Sequence, residues 1–299
     1  MLSPELIKKI KRIHIKTGRK VNTMMAGQYK SVFRGMGIEF EEVREYSPGD
    51  EVKSIDWKVS ARLGRPFVKL FREERELIVM LLVDMSASGI FGTTENLKRE
   101  TAAEIAAILA FNAIRNNDKI GLILFTDRVE KYIPPKKGSA HVWRVIKEIF
   151  AFEPKNKGTN IIDAVQYLGR VCRKKSVSFL ISDFLNSDNP EILYQQAHRL
   201  KVTSKKHELI GVLLSDPGEF QLPASGIIYV QDLETGEYLA FDASDQSTRR
   251  GFHEQKLMEY QQSRNLLNIC EMDCIEINTG DDSADVLTRY FRSRELRKR

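Results

Sequence analysis

Cysteine is scarce in this chain. Cys172, Cys270 and Cys274 are the 3 cysteines among 299 residues. That count is too low and too odd for a disulfide framework, and it fits a reducing compartment. Cys270 and Cys274 are spaced like half of a metal clip, but no His or Cys pair completes it, so they read as ordinary core or boundary thiols. Histidine is sparse as well. His14, His141, His198, His207 and His253 are scattered along the chain, which leaves no Ser–His–Asp order and no evident general base for hydrolytic chemistry. A Walker Gly–Lys loop is missing. No apolar run approaches the roughly 18–20 residues that cross a bilayer. The opening MLSPELIKKIKRIHIK is interrupted by charge every few residues, unlike a signal peptide. These absences set the expectation of a cytoplasmic, non-enzymatic protein.

What the chain has in excess is positive charge at its ends. Lys and Arg number 47 against 41 Asp and Glu, a formal net charge of +6. Residues 1–20 and the tail 289–299 hold much of that excess. Such clusters suit nucleic acid, anionic lipid or an acidic partner, yet basic faces often serve only solubility. The N-terminal run has no interleaved aromatic residue on which bases would stack. The helix expected from Ser3-Pro4-Glu5 to Gly18 has a narrow apolar stripe without Trp or Phe, so membrane contact is also disfavoured. Gly35-Met36-Gly37 lacks the preceding strand, following helix and third glycine of a dinucleotide fingerprint, and reads as a turn.

The chain is organised around Leu77–Ser88, LIVMLLVDMSAS. Its first seven residues are continuously apolar and partly β-branched, the pattern of a strand buried on both faces. It ends in Asp84-Met85-Ser86-Ala87-Ser88, a carboxylate and two hydroxyls at alternate positions. Open α/β sheets place their ligands at such carboxyl ends. Further buried strands are expected at 120–125, 177–181 and 209–214, with a short edge strand at 129–133 ending in Pro134-Pro135. Helical patterns fill the intervals at 96–116, 140–152, 160–173 and 190–202. This alternation predicts an open, mostly parallel sheet with helices on both faces, of Rossmann-like type. The rhythm breaks after Ser215. A β-hairpin is expected from 227–230 and 238–241, then a polar helix over 247–267, so about 217–268 reads as an insertion. A strand at 274–277 and a helix at 284–297 close the chain. Upstream, Val43, Tyr46, Ile55, Trp57 and Val68 alternate with charge around the turn Ser47-Pro48-Gly49-Asp50. That predicts a small antiparallel β element, giving one domain over residues 1–75 and a larger one over 76–299. Asp56 and Arg62 read as a structural ion pair or hydrogen-bonding residues in that element.

Two stretches strengthen the reading at Asp84. Lys157-Gly158-Thr159-Asn160 sets a threonine hydroxyl on a loop before a helix, and the strand Val177–Ile181 runs into Ser182-Asp183. Asp84, Ser86, Ser88, Thr159 and Asp183, in this order, resemble the metal-ion-dependent adhesion site of the von Willebrand factor type A domain. A second resemblance lies upstream. Tyr46-Ser47-Pro48-Gly49-Asp50, Ile55-Asp56-Trp57 and Ser60-Ala61-Arg62 are similar to the signature of a bacterial family known as domain of unknown function fifty-eight, whose members place this block just before a von Willebrand-type domain. The match is close from Gly35 to about Phe91 and looser beyond.

The resemblance implies a divalent cation, Mg2+ first and Mn2+ or Ca2+ as alternatives. Ser86 and Ser88 would bind directly, Thr159 directly or through water, and Asp84 and Asp183 directly or through water according to state. Oxygen donors of this kind suit a hard cation. Because neutral hydroxyls quench little of its charge, the ion would accept a Glu or Asp carboxylate from a partner or client protein. Relatives often accompany MoxR-type AAA+ ATPases, which implies such a partner and a chaperone-like or assembly role. No small-molecule substrate is expected. The rival classes are a magnesium-dependent phosphoester hydrolase and a nucleic-acid-binding protein acting through the basic termini. Asp127 and Asp188 are candidates for the rim of the site.

Overall fold

The structure, a computed structural model, describes residues 38–73, 77–184 and 190–297. The expected N-terminal helix, the Gly35–Gly37 stretch and Asp188 lie outside the described residues. The chain separates into two compact units, with the division between Leu77 and Ile78.

In the smaller unit, strand β1 (Ile38–Glu45) pairs antiparallel with β2 (Phe67–Glu73). The turn between them is built by polar contacts. Arg44 holds Asp50 through two hydrogen bonds of 2.8 and 2.6 Å, and the Ser47 N–H donates to the same carboxylate at 2.8 Å. The stretch that alternates like a strand around Trp57 is helical instead: α1 covers Trp57–Leu63. Asp56 caps it by accepting from the N–H groups of Lys58 and Val59, and Gly64 ends it with φ +68°. Ile55 makes a single bridge to Val68, and Trp57 is 68% exposed. The expected antiparallel element is thus present as β1 and β2, which carry Val43 and Val68, while around Trp57 local capping decided for a helix. The ion-pair partner of Asp56 is Lys69, at 3.3 Å, and not Arg62.

In the larger unit, β3 (Ile78–Asp84), β4 (Lys119–Phe125), β5 (Val129–Lys136), β6 (Val177–Ser182), β7 (Glu208–Ser215) and β10 (Asp273–Asn278) form one sheet in the order β10-β7-β6-β3-β4-β5. All neighbours run parallel except β5, which lies antiparallel on β4 at the edge. Pro134 and Pro135 cannot donate to a ladder, and an edge tolerates them. The central strands are buried almost throughout, as their unbroken apolar runs require. Successive side chains of a strand face opposite sides. Met80 and Leu82 join a core with α4 (Ile161–Val171), α5 (Pro190–Lys206) and α6 (Gln246–Ile269). On the other face lies α2 (Lys98–Arg115), flanked by α3 (Ser139–Ala151) and α7 (Ser283–Arg297). Ala102, Ala103, Ala106, Ala107, Ala110 and Ala113 are buried along α2, and these small side chains let its axis lie close to the sheet. The open α/β architecture expected from the sequence, with helices on both faces, is the one observed.

The hairpin of β8 (Ile227–Gln231) and β9 (Tyr238–Asp242) forms a separate two-stranded sheet. Among the described residues no helix is long and apolar enough to cross a membrane, and all three cysteines are free thiols.

Candidate metal centre at the strand switch point

From β3 the chain passes through α2 to β4 on one side, and it later returns to lay β6 on the other side of β3. The carboxyl ends of β3 and β6 therefore flank the point where the winding direction reverses, the place where an open α/β sheet leaves a crevice. Val83 is level with Ile181 in the ladder, which sets Asp84 beside Ser182 with Asp183 just beyond. The Ser182 hydroxyl donates to Asp84 Oδ2 at 2.6 Å, and the Ser86 N–H donates to Oδ1 at 2.9 Å. The turn after Asp84 brings the Ser86 and Ser88 hydroxyls to 3.0 Å from each other. Asp84, Ser86, Ser88, Lys98, Ser182 and Asp183 line one pocket.

Thr159 reaches this end of the sheet by another route. The Ala87 N–H donates to the Lys157 carbonyl at 2.8 Å, and the Asn160 N–H to the Thr126 carbonyl at 2.8 Å. The Lys157–Asn160 loop is thereby tied to the Asp84–Ser88 turn on one side and to the end of β4 on the other. Thr159 does not line the pocket; its hydroxyl donates to Glu234 Oε1 at 2.8 Å. Asp127 lies beside this loop, its Cβ 3.7 Å from where a side chain at Gly158 would begin. The structure thus brings Asp84, Ser86, Ser88 and Asp183 into one pocket and places Thr159 on an adjoining loop.

The electrostatics of the pocket are strongly uneven. Burial, and next the charge of Asp183, push the Asp84 carboxyl up to about 7, against the hydrogen bonds from Ser182 and Ser86. Lys98, the first residue of α2, is 2% exposed and sits 2.7 Å from Asp183 Oδ2 and within hydrogen-bonding distance of Glu219. Burial works against its charge, but the two carboxylates outweigh burial and hold its pKa above the ordinary lysine value. A lysine at a helix N-terminus opposes the helix dipole, so these two carboxylates are what make the position tenable. Glu219 is held in turn by the N–H of Asp216 at 2.9 Å. Asp216, fully buried, accepts from Thr93, Gly218 and Thr279, which ties the loop before α2 to the ends of β7 and β10. Burial raises the pKa of Glu234 above the usual carboxylate range; the Thr159 hydrogen bond opposes this, and the charge of Asp183 adds to it.

Two observations test whether a divalent cation suits these residues. Among the described residues, no three His, Cys, Asp or Glu side chains gather to hold a metal by themselves, so hydroxyls must share the work. Magnesium–oxygen bonds of about 2.0–2.1 Å at right angles put neighbouring ligand oxygens roughly 3 Å apart, and the Ser86 and Ser88 hydroxyls have that spacing. Asp84, buried beside a second carboxylate, is the group a cation would relieve. The donor set fits a hard cation, with Asp183 shared with Lys98.

A family model described as "Protein of unknown function DUF58" matches residues 42–262. The chain belongs to this family. The DUF58 chain is 27% identical over 293 residues to "Uncharacterized protein Rv1480" of Mycobacterium tuberculosis, a match covering 97% of this chain and 90% of that one. It is 26% identical over 107 residues to "Uncharacterized protein YeaD" of Bacillus subtilis, covering 36% of this chain and 25% of that protein. Among solved structures it is similar to the conserved hypothetical protein BatB from Bacteroides thetaiotaomicron, with TM-score 0.50, 14% identity, and coverage of 74% of this chain and 99% of that one. A von Willebrand factor type A protein from Catenulispora acidiphila aligns with TM-score 0.45 at 10% identity, covering 77% of this chain and 44% of that chain. The DUF58 membership agrees with the second of the two resemblances legible in the sequence.

Several polar residues around this candidate site were not singled out by sequence reasoning. Asp216 had a signal, because β7 runs apolar into Ser215-Asp216 just as β6 runs into Ser182-Asp183. Glu219 sits three residues after Asp216 in a capping-box spacing, but Lys98 and Glu234 had no signal, since Lys98 meets Asp183 and Glu219 across 85 and 121 residues and Glu234 meets Thr159 across 75.

Proposed function

We propose that this protein is a non-enzymatic protein-binding adaptor that engages a partner's carboxylate through a divalent cation, Mg2+ foremost. Asp84, Ser86, Ser88 and Asp183 would hold the ion, with Thr159 contributing from the adjoining loop. The observation that carries this reading is the convergence of Asp84, the Ser86–Ser88 hydroxyl pair and Asp183 in one pocket at the switch point. When bound, the ion supplies an electrophilic seat for an incoming Glu or Asp side chain. The chain's own residues do the rest: Ser182 and the Ser86 N–H orient Asp84, and Lys98 fixes Asp183.

Binding without turnover is supported by where the described histidines go. His141 bonds the Ile120 carbonyl, His253 the Phe220 carbonyl, His207 bonds Ser176, and His198 stacks on Tyr194. None lines the pocket, so a phosphoester hydrolase would lack an imidazole base there. The resemblance supplies the partner class, a MoxR-type AAA+ ATPase in the cytoplasm, with a chaperone-like or assembly role.

Capture of the MoxR-type ATPase of the same cell by the immobilised full chain tests this reading. Capture should fall at least tenfold with EDTA and to a similar extent in Ser86→Ala, whose circular dichroism should match the wild type. Capture indifferent to both chelator and substitution contradicts the proposal.

A further inference from the structure

The β8–β9 hairpin is weakly anchored to the core. Its side chains are exposed or half-buried, and Tyr229 and Tyr238 stand 70% and 65% exposed. At its base, Phe241 packs edge-on against Phe252 of α6 with ring centroids 5.4 Å apart, and Ala243 is fully buried. Its tip is rigid by construction. The Gly236 N–H donates to the Asp232 carbonyl and the Asp232 N–H to the Glu237 carbonyl, each at 2.8 Å. Asp232 Oδ1 accepts from the N–H groups of Glu234 and Thr235 at 2.8 and 3.1 Å, and Gly236 takes φ +79°.

This preformed turn presents Glu234, and Glu234 is not left in solvent. It is half-buried, with Oε1 at 2.8 Å from the Thr159 hydroxyl and Oε2 3.9 Å from where a side chain at Gly158 would begin. Glutamate avoids burial unless it is paired, and here a hydroxyl expected to serve the cation supplies the partner.

We propose that Glu234 is a built-in ligand of the candidate site: the hairpin tip occupies the position meant for a partner's carboxylate, and an acidic residue on a tight turn is the ligand class that must displace it. This deepens the carboxylate-binding role and rests on that role for the identity of the displaced group. The seating of the tip does not depend on a metal, so the two ideas fail separately.

The test is hydrogen exchange of the full chain, read at peptides covering residues 231–238, in EDTA and with Mn2+. Wild type, Glu234→Ala and Thr159→Val are compared, and peptides from β3 and β6 serve as the folding control. In EDTA the tip amides should exchange at least fivefold faster in both variants, with the control peptides unchanged. Mn2+ should slow the tip further in wild type and not in Glu234→Ala. Tip exchange equal in all three proteins overturns the proposal, as does saturating Mn2+ binding that leaves wild-type tip exchange unaltered. If Mn2+ fails to bind wild type while the variants still loosen the tip, the cation reading falls and Glu234 stands as the occupant of a hydroxyl-lined seat.

Discussion

A buried carboxylate needs a reason, and three of them follow strands in this molecule. Asp84, Asp183 and Asp216 each come directly after a buried parallel strand or end it. Asp216 is satisfied by hydroxyl and amide donors, which hold its pKa below the ordinary value even though burial pushes the other way. Asp183 is met by Lys98. Asp84 has donors but no cation of its own, and its carboxyl is the one pushed up to about 7. Five candidate donors could be named because their order along the chain resembles a known donor pattern; Asp84, Ser86, Ser88 and Asp183 line one pocket, and Thr159 lies on an adjoining loop. Their electrostatic setting was not legible, because Lys98 meets Asp183 and Glu219 only through the fold. A separate buried group gives a pH test. His207 is fully buried with Nδ1 2.9 Å from the Ser176 hydroxyl, and burial, then the charge of Lys206, lower its pKa from 6.5 to about 4. Between those values the unfolded chain binds a proton that the fold refuses. Stability should therefore fall as pH drops from 6.5 towards 4, by about 2–3 kcal/mol from this site. Urea unfolding at pH 7 and pH 4.5 should show a smaller loss in His207→Phe than in wild type. Equal losses would contradict the assignment.

At the scale of elements, the strands and helices of the larger unit were readable because burial on both faces and helical periodicity leave strong, local signatures. The segment around α1 was misread because alternation is ambiguous over a few residues, and the Asp56 cap with the Gly64 stop outweighed it. The loop between β3 and α2 shows how tightly an element can be positioned for the site. A side chain at Gly92 would meet the Asn96 carbonyl oxygen at 2.8 Å and the Leu97 Cα at 2.9 Å, both backbone atoms. Neither can move without shifting the start of α2 and with it Lys98. Gly92→Ala should therefore destabilise the protein by about 1–3 kcal/mol, as overpacking does, measured by urea unfolding at pH 7.5. A variant as stable as wild type would show that this loop has slack. The hairpin was foreseen as two strands joined through Asp232–Glu237, but the destination of its tip was not. Glu234 meets Thr159 across 75 residues of sequence, and nothing local marks such a pairing.

For the whole molecule, the winding of the sheet explains why chemistry gathers where it does. The chain leaves β3 in one direction and returns to its other side, and the crevice so formed receives residues from the ends of β3, β6 and β7, from the loop before α2 and from the start of α2. Alternation of strand and helix predicted that architecture, and family resemblance supplied the candidate donors. The central claim is that these donors hold one divalent cation. Titration calorimetry of Mg2+ and Mn2+ into metal-free full chain tests it most directly, with Asp84→Ala as the control and circular dichroism confirming that both are folded. The account predicts one site per chain in wild type and loss of at least tenfold in affinity in Asp84→Ala. No binding to wild type, or equal binding to both proteins, would contradict it.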